Sequence, residues 1–140
     1  MSATTRSVTT GTATPSLKRR ALGVAVTVLA CALIWVVGAI AGVDYTVLSP
    51  GRPAFVVGLA PVLLFALASA LIGWVGLIVL ERVTGRWAGT VWTALAVAIA
   101  LLSLIPVFAV EATVGAQATL TVLHLAVAAA LIAFLPARSR

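Results

Sequence analysis

Four stretches without one charged residue constrain this chain more than any other feature. They cover residues 21–43, 54–80, 87–110 and 118–135, with lengths of 23, 27, 24 and 18. A bilayer core of ~30 Å is crossed by about 20 residues of helix rising ~1.5 Å each. Hydrocarbon offers the backbone no hydrogen-bond partner, so a spanning run must be a helix or a strand of a closed barrel. Barrel strands read as alternating segments of ~10 residues, and these runs do not alternate. The sequence therefore predicts an all-α fold, a four-transmembrane-helix bundle with short loops. The second run exceeds what a bilayer needs, and Pro61, eight residues into it, is expected to kink it.

Composition removes the main alternatives. With 63% hydrophobic and 9% charged residues, the chain cannot cover a small soluble domain with polar side chains, and it is far too apolar for disorder. Cys31 is the one cysteine, which excludes a disulfide scaffold. Cys31 and His124 together fall short of the ligands of a zinc site. No cofactor, metal site or catalytic residue is expected, and the chain is read as not an enzyme. The net charge of +6 does not imply nucleic acid, because the basic residues sit in tails and short loops.

Residues 1–17 are rich in Ser and Thr and are read as a disordered cytoplasmic tail. Residues 18–140 form a single membrane domain. Arg6, Lys18, Arg19, Arg20, Arg82, Arg86, Arg138 and Arg140 fall on one side of a four-span chain, and only Arg52 on the other. The excess of Lys and Arg marks the cytoplasmic face, so both termini are expected inside a bacterial plasma membrane. A rival is cleavage after Ala39-Ile40-Ala41, which resembles a signal-peptidase site. The 18 residues between Arg20 and Ala39 exceed the usual apolar run of ~7–15.

Helices in lipid associate through close contact of small residues. Gly38-x3-Gly42 is the best such pattern, with Thr27 and Cys31 on its face. Ala66-x3-Ala70, Ser69-x3-Gly73, Ala94-x3-Ala98, Ala96-x3-Ala100 and Ala126-x3-Ala130 repeat it. Gly23, nearer the cytoplasmic interface, is expected to tolerate larger side chains than Gly38 or Gly42. Trp87 is placed in the interfacial aromatic belt, and Trp74 and Trp92 in packing.

One polar locus stands out. His124 is the only side chain within the four runs that titrates near neutral pH. It lies ~9 Å below the start of the fourth run and Ser103 ~10 Å below the end of the third. Antiparallel neighbours would bring the two to one level. Gln117 and Thr121 share the His124 face. The expectation is an inward-facing histidine hydrogen-bonded to Ser103 or to a carbonyl of a neighbouring helix.

Val43-Asp44-Tyr45 with Pro50-Gly51, Ser103-Leu104-x-Pro106 and Leu123-His124-x2-Val127-Ala128 resemble a family of small four-helix actinobacterial membrane proteins known only as a domain of unknown function. The likeness spans about residues 20–135. It implies four spans and a bacterial inner membrane, with no activity to carry over. The leading reading is a structural or partner-binding membrane subunit in contact with the bilayer and with a membrane-protein partner or a second copy. The alternatives are an oligomeric transporter or channel for a neutral or lipophilic solute, and an outer-leaflet sensor or ligand site around His124.

Overall fold

Small side chains recur along one face of each helix, and that face is what the fold buries. In the computed structural model, which describes residues 15–136, the helices are α1 (Pro15–Ile40), α2 (Leu59–Thr84), α3 (Ala88–Ala109) and α4 (Val114–Phe134). The tail expected at residues 1–17 lies outside the described residues as far as residue 14. Its last three residues form the first turn of α1, with Pro15 at the first helical position, where a missing N–H costs nothing.

Three helical segments are long and apolar enough to cross a membrane: Leu17–Ile40, Leu59–Ala109 and Val114–Phe134. The second, 51 residues long, contains both α2 and α3. It is broken by a 3-10 turn at Gly85–Trp87, and Gly85 there has φ of +53°. α2 and α3 pack against each other, so the chain reverses at this turn. α1 also packs on α2 and α4, and α3 on α4, which closes the four helices into a ring.

The buried seam of α1 is Gly23, Thr27, Cys31 and Gly38; that of α2 is Val62, Ala66, Ala70 and Leu77. α3 buries Ala88, Trp92, Ala100 and Val107, and α4 buries Ala116, Leu123, Ala130 and Leu131. Spacings of four, seven and eight keep each seam on one side, and Leu131 widens that of α4 beside Ala130. The opposite faces expose Leu, Ile, Val and Phe, including Phe65, Ile72, Ile99 and Phe108. Such faces suit lipid. Of the Ala pairs, Ala66/Ala70 lies on a seam, whereas Ser69, Ala94 and Ala98 are exposed.

Several boundaries differ from the charge-free runs. Residues 54–58 are not helical, and Phe55–Val56 is a strand, β2. α2 starts at Leu59, so Pro61 falls within its first turn. There its missing N–H breaks no helical bond, and it does not act as the expected mid-helix kink. α4 starts at Val114, four residues before the fourth run, because the Thr113 hydroxyl accepts from the Ala116 N–H at 3.1 Å as an N-cap. β1 (Thr46–Leu48) pairs antiparallel with β2 and with β3 (Glu111–Ala112). In the register Thr46 faces Val56, and Val47 faces both Phe55 and Ala112. The β1–β2 connection turns at Pro50-Gly51, where Gly51 has φ of +74° and Arg52 N–H bonds Ser49 O at 3.1 Å. The turn was legible as Pro-Gly; the strands, two or three residues long, were not.

Gly38 and Gly42 sit in different surroundings. A Cβ on Gly38 would collide with the Tyr45 hydroxyl. Gly42 lies beyond α1 with φ of +79° and nothing near a Cβ. Its N–H bonds Ala39 O at 3.1 Å and the Val43 N–H bonds Gly38 O at 3.0 Å, the paired bonds of a glycine-terminated helix. Gly23 reverses the expectation: a Cβ there would stand 2.6 Å from Phe134 Cβ, which marks a tight α1–α4 approach on the seam. Gly23→Leu is expected to lower the unfolding midpoint in detergent micelles most, as it pushes two helices apart. Gly42→Ala should cost about 1–2 kcal/mol through its left-handed backbone, while Ala94→Leu on the open face stays within about 0.5 kcal/mol. Equal tolerance at Gly23 and Ala94 would contradict the α1–α4 contact.

Candidate functional site

The polar residues singled out by sequence lie half-buried on α3 and α4, yet no hydrogen bond joins Ser103 to His124. Ser103 Oγ donates to Ala100 O at 2.6 Å, and Thr121 Oγ1 to Gln117 O at 2.8 Å. His124 Nδ1 donates to Leu120 O at 2.7 Å, one turn back on its own helix. A carbonyl only accepts, so this bond places a proton on Nδ1. Gln117 Nε2 reaches Val110 O at 3.3 Å and ties the start of α4 to the end of α3. The expected bond from His124 to Ser103 or to a neighbouring helix is therefore not formed. The same local habit governs Thr27 with Gly23 O, Thr93 with Gly89 O and Thr119 with Gly115 O. A hydroxyl on a helix finds an acceptor one turn back without any help from tertiary structure.

Long-range polar contacts concentrate at the two ends of the bundle. At the sheet end, Trp35 of α1 stacks on Tyr45, with ring centroids 5.3 Å apart and an interplanar angle of 17°. Tyr45 is 5% exposed, buried although it lies in a loop. Its hydroxyl donates to Trp35 O at 3.1 Å, and Trp35 Nε1 donates to Val57 O at 2.9 Å. Glycine at position 38 leaves the room this hydroxyl occupies. Asp44 Oδ1 accepts from the Thr46 hydroxyl at 2.6 Å and from the Thr46 N–H at 2.9 Å. The hydroxyl bond first, then the backbone bond, hold the Asp44 carboxyl below the usual carboxylate range. Thr113 Oγ1 donates to Asp44 O at 3.1 Å and joins the two loops.

At the opposite end, two arginines of α1 close the end of α4. Arg19 donates from Nη1 to Pro136 O at 2.7 Å and from Nη2 to Ala133 O. Arg20 donates from Nε to Leu135 O at 3.1 Å and pairs through Nη2 with Glu81 of α2. Terminal helix carbonyls lack intrahelical donors and carry partial negative charge. The two guanidinium groups satisfy both needs. Sequence reading assigned Lys18-Arg19-Arg20 only to orientation. The missed signal was Glu81, the one acid among the basic residues of that side. Among the described residues no three His, Cys, Asp or Glu side chains come together as a metal cluster, and no buried side-chain nitrogen or oxygen lacks a hydrogen-bond partner.

Apolar helices that bury small-residue seams, expose their large apolar side chains and capture polar groups on their own backbones define an α-helical protein with membrane-like segments. The chain belongs to the family of unknown function DUF6069, whose model matches residues 11–140. No curated protein and no solved structure matches it.

Arg20→Lys should lower stability by about 1–3 kcal/mol, because one ammonium cannot reproduce a fork held between a carboxylate and a carbonyl. His124→Leu should cost less than about 1 kcal/mol, since it strands no group on another helix. Unfolding midpoints in detergent give both values, and a larger loss at His124 would reveal an interhelical partner. Acid should loosen the Asp44 turn only well into the acidic range. A carboxyl that is a stronger acid when folded stabilises the cap above the ordinary aspartate value of ~3.9, and that contribution is lost as pH falls through the lowered folded value. Protection of the Thr46 amide, measured against the unstructured exchange rate at each pH, should fall as the Asp44 carboxyl protonates, and Asp44→Ala should remove that pH dependence.

Proposed function

We propose that the chain is a four-span protein of a bacterial plasma membrane, with both termini cytoplasmic, that serves as a non-enzymatic structural or partner-binding subunit. The observation that carries this reading is how the intramembrane polar groups are engaged. Thr27, Thr93, Ser103, Thr119, Thr121 and His124 each bond a carbonyl three or four residues back on their own helix. A catalytic or transport centre needs polar groups that converge on a shared point. Here they stabilise helices individually and leave broad apolar faces for lipid or a partner helix.

The four-span reading is supported by the reversal at Gly85, which divides the 51-residue apolar segment into two helices that pack side by side. The place of α1 also speaks against cleavage after Ala41. Its removal would open the Gly23–Phe134 contact and the Arg20–Glu81 pair and take Cys31 out of the cluster with Val62, Ala66 and Leu123. The cytoplasmic assignment rests on the excess of Lys and Arg at the α2–α3 turn and the start of α1, and the actinobacterial source on the resemblance of the motifs at residues 43–51, 103–106 and 123–128.

Reporter fusions after Arg140 and after Arg52 should report opposite sides of the membrane, with Arg140 inside. A pair on the same side would overturn the span count, and an external Arg140 the orientation. Crosslinking in native membranes followed by purification should recover one stoichiometric membrane partner. Recovery of the uncrosslinked monomer alone would overturn the subunit reading.

A further inference from the structure

Between α3 and α4, at the end where Arg19 and Arg20 cap α4, lies an open groove of about 890 Å3. Its polar rim is Arg19, Arg86, Thr90 and Thr93, and its apolar floor includes Val97 and Ile132. Gly89 widens the mouth, because a Cβ there would meet open space. Among the described residues the one carboxylate at this end, Glu81, pairs with Arg20. Arg19 and Arg86 therefore have no carboxylate partner among the described residues. Arg19 is held in place by the α4 carbonyls, and its guanidinium carries more N–H donors than those bonds use. Arg86 lies 5.5 Å from the ring centre of Trp87, an exposed side chain at the same rim.

We infer that this groove binds an anionic phospholipid, with the phosphodiester between Arg19 and Arg86 and an acyl chain along Val97 and Ile132. Guanidinium groups match phosphate oxygens with paired N–H donors, and the hydroxyl of Thr90 adds a third donor at the rim. A soluble phosphate would find the cations and leave the apolar floor uncovered. A zwitterionic lipid would cover the floor, but its own cation would face two arginines. An anionic lipid meets both halves of the groove, as basic pockets between helices at a membrane surface do. The inference rests on the membrane-spanning reading proposed above.

The test uses the full chain in phosphatidylcholine vesicles that contain a minor fraction of brominated lipid, with tryptophan quenching as the readout. Brominated phosphatidylglycerol should quench more strongly than brominated phosphatidylcholine at equal fraction, and Trp87→Phe should remove the difference. Arg86→Gln should lower the preference for phosphatidylglycerol about fivefold, the effect of one cation near the surface. Thr90→Val should lower it less, and Arg82→Gln, at the same end but outside the groove, should leave it unchanged. Equal loss in Arg82→Gln and Arg86→Gln would overturn the groove in favour of general surface charge. Displacement of the brominated lipid by inorganic phosphate would overturn the lipid assignment. Equal quenching by the two brominated lipids would overturn the site while leaving membrane insertion intact. Quenching by neither would overturn the membrane reading itself.

Discussion

The close approach of α1 to α4 is the contact on which the other helices depend. In hydrocarbon, two helices gain nothing from hiding apolar surface from each other, because lipid tails are as apolar as leucine. What remains is dispersion, which decays within a fraction of an ångström, so the backbones must come near. Gly23 permits that nearness against Phe134, and Thr27 and Cys31 continue the seam with little bulk. With α1 seated there, Arg19 and Arg20 reach the last carbonyls of α4, Arg20 reaches Glu81, and α2 is drawn to the other flank of α1.

Polar chemistry is then distributed by depth. In the middle of the helices, hydroxyls and the single imidazole bond to the nearest carbonyl of their own chain, which demands nothing of the tertiary fold. At the two ends, bonds of long sequence separation take over: Trp35 to Val57 and Tyr45 to Trp35 at one end, Arg19 and Arg20 to α4 at the other. Segments near an interface carry the aromatic and cationic side chains able to make such bonds, because those side chains tolerate the boundary between hydrocarbon and water.

The helices were legible in the sequence because a charge-free run of about 18 residues or more matches the thickness of a bilayer and offers water no polar face. Their ends were less so. The start of α4 is set by the Thr113 hydroxyl and the end of α1 by the backbone of Gly42, both local features hidden inside a uniform apolar run. Gly38-x3-Gly42 matched a packing pattern in which only its first glycine takes part. Gly23 carried no pattern partner, and its tight contact comes from where Phe134 lands in space. The hydrogen-bond partners of Ser103, Thr121 and His124 were not legible, because residue spacing gives depth and face but not the competition from a carbonyl on the same helix. The ion pair at Glu81 was out of reach for a related reason: charge counting assigns a side of the membrane and says nothing of which helix ends meet there.

The arginine caps on α4 also bear on the order in which this fold can be completed. Arg19 and Arg20 stand at the beginning of the first helix, while the carbonyls they satisfy, at Ala133, Leu135 and Pro136, belong to the last residues described. A ribosome delivers these partners more than a hundred residues apart. Before α4 emerges, Glu81 is the acceptor among the described residues that Arg20 can already meet. Both arginine side chains are thus made well before the α4 carbonyls that they bond. α4 follows the other three described helices in the chain, which makes its final turn a fastening for the ring they form.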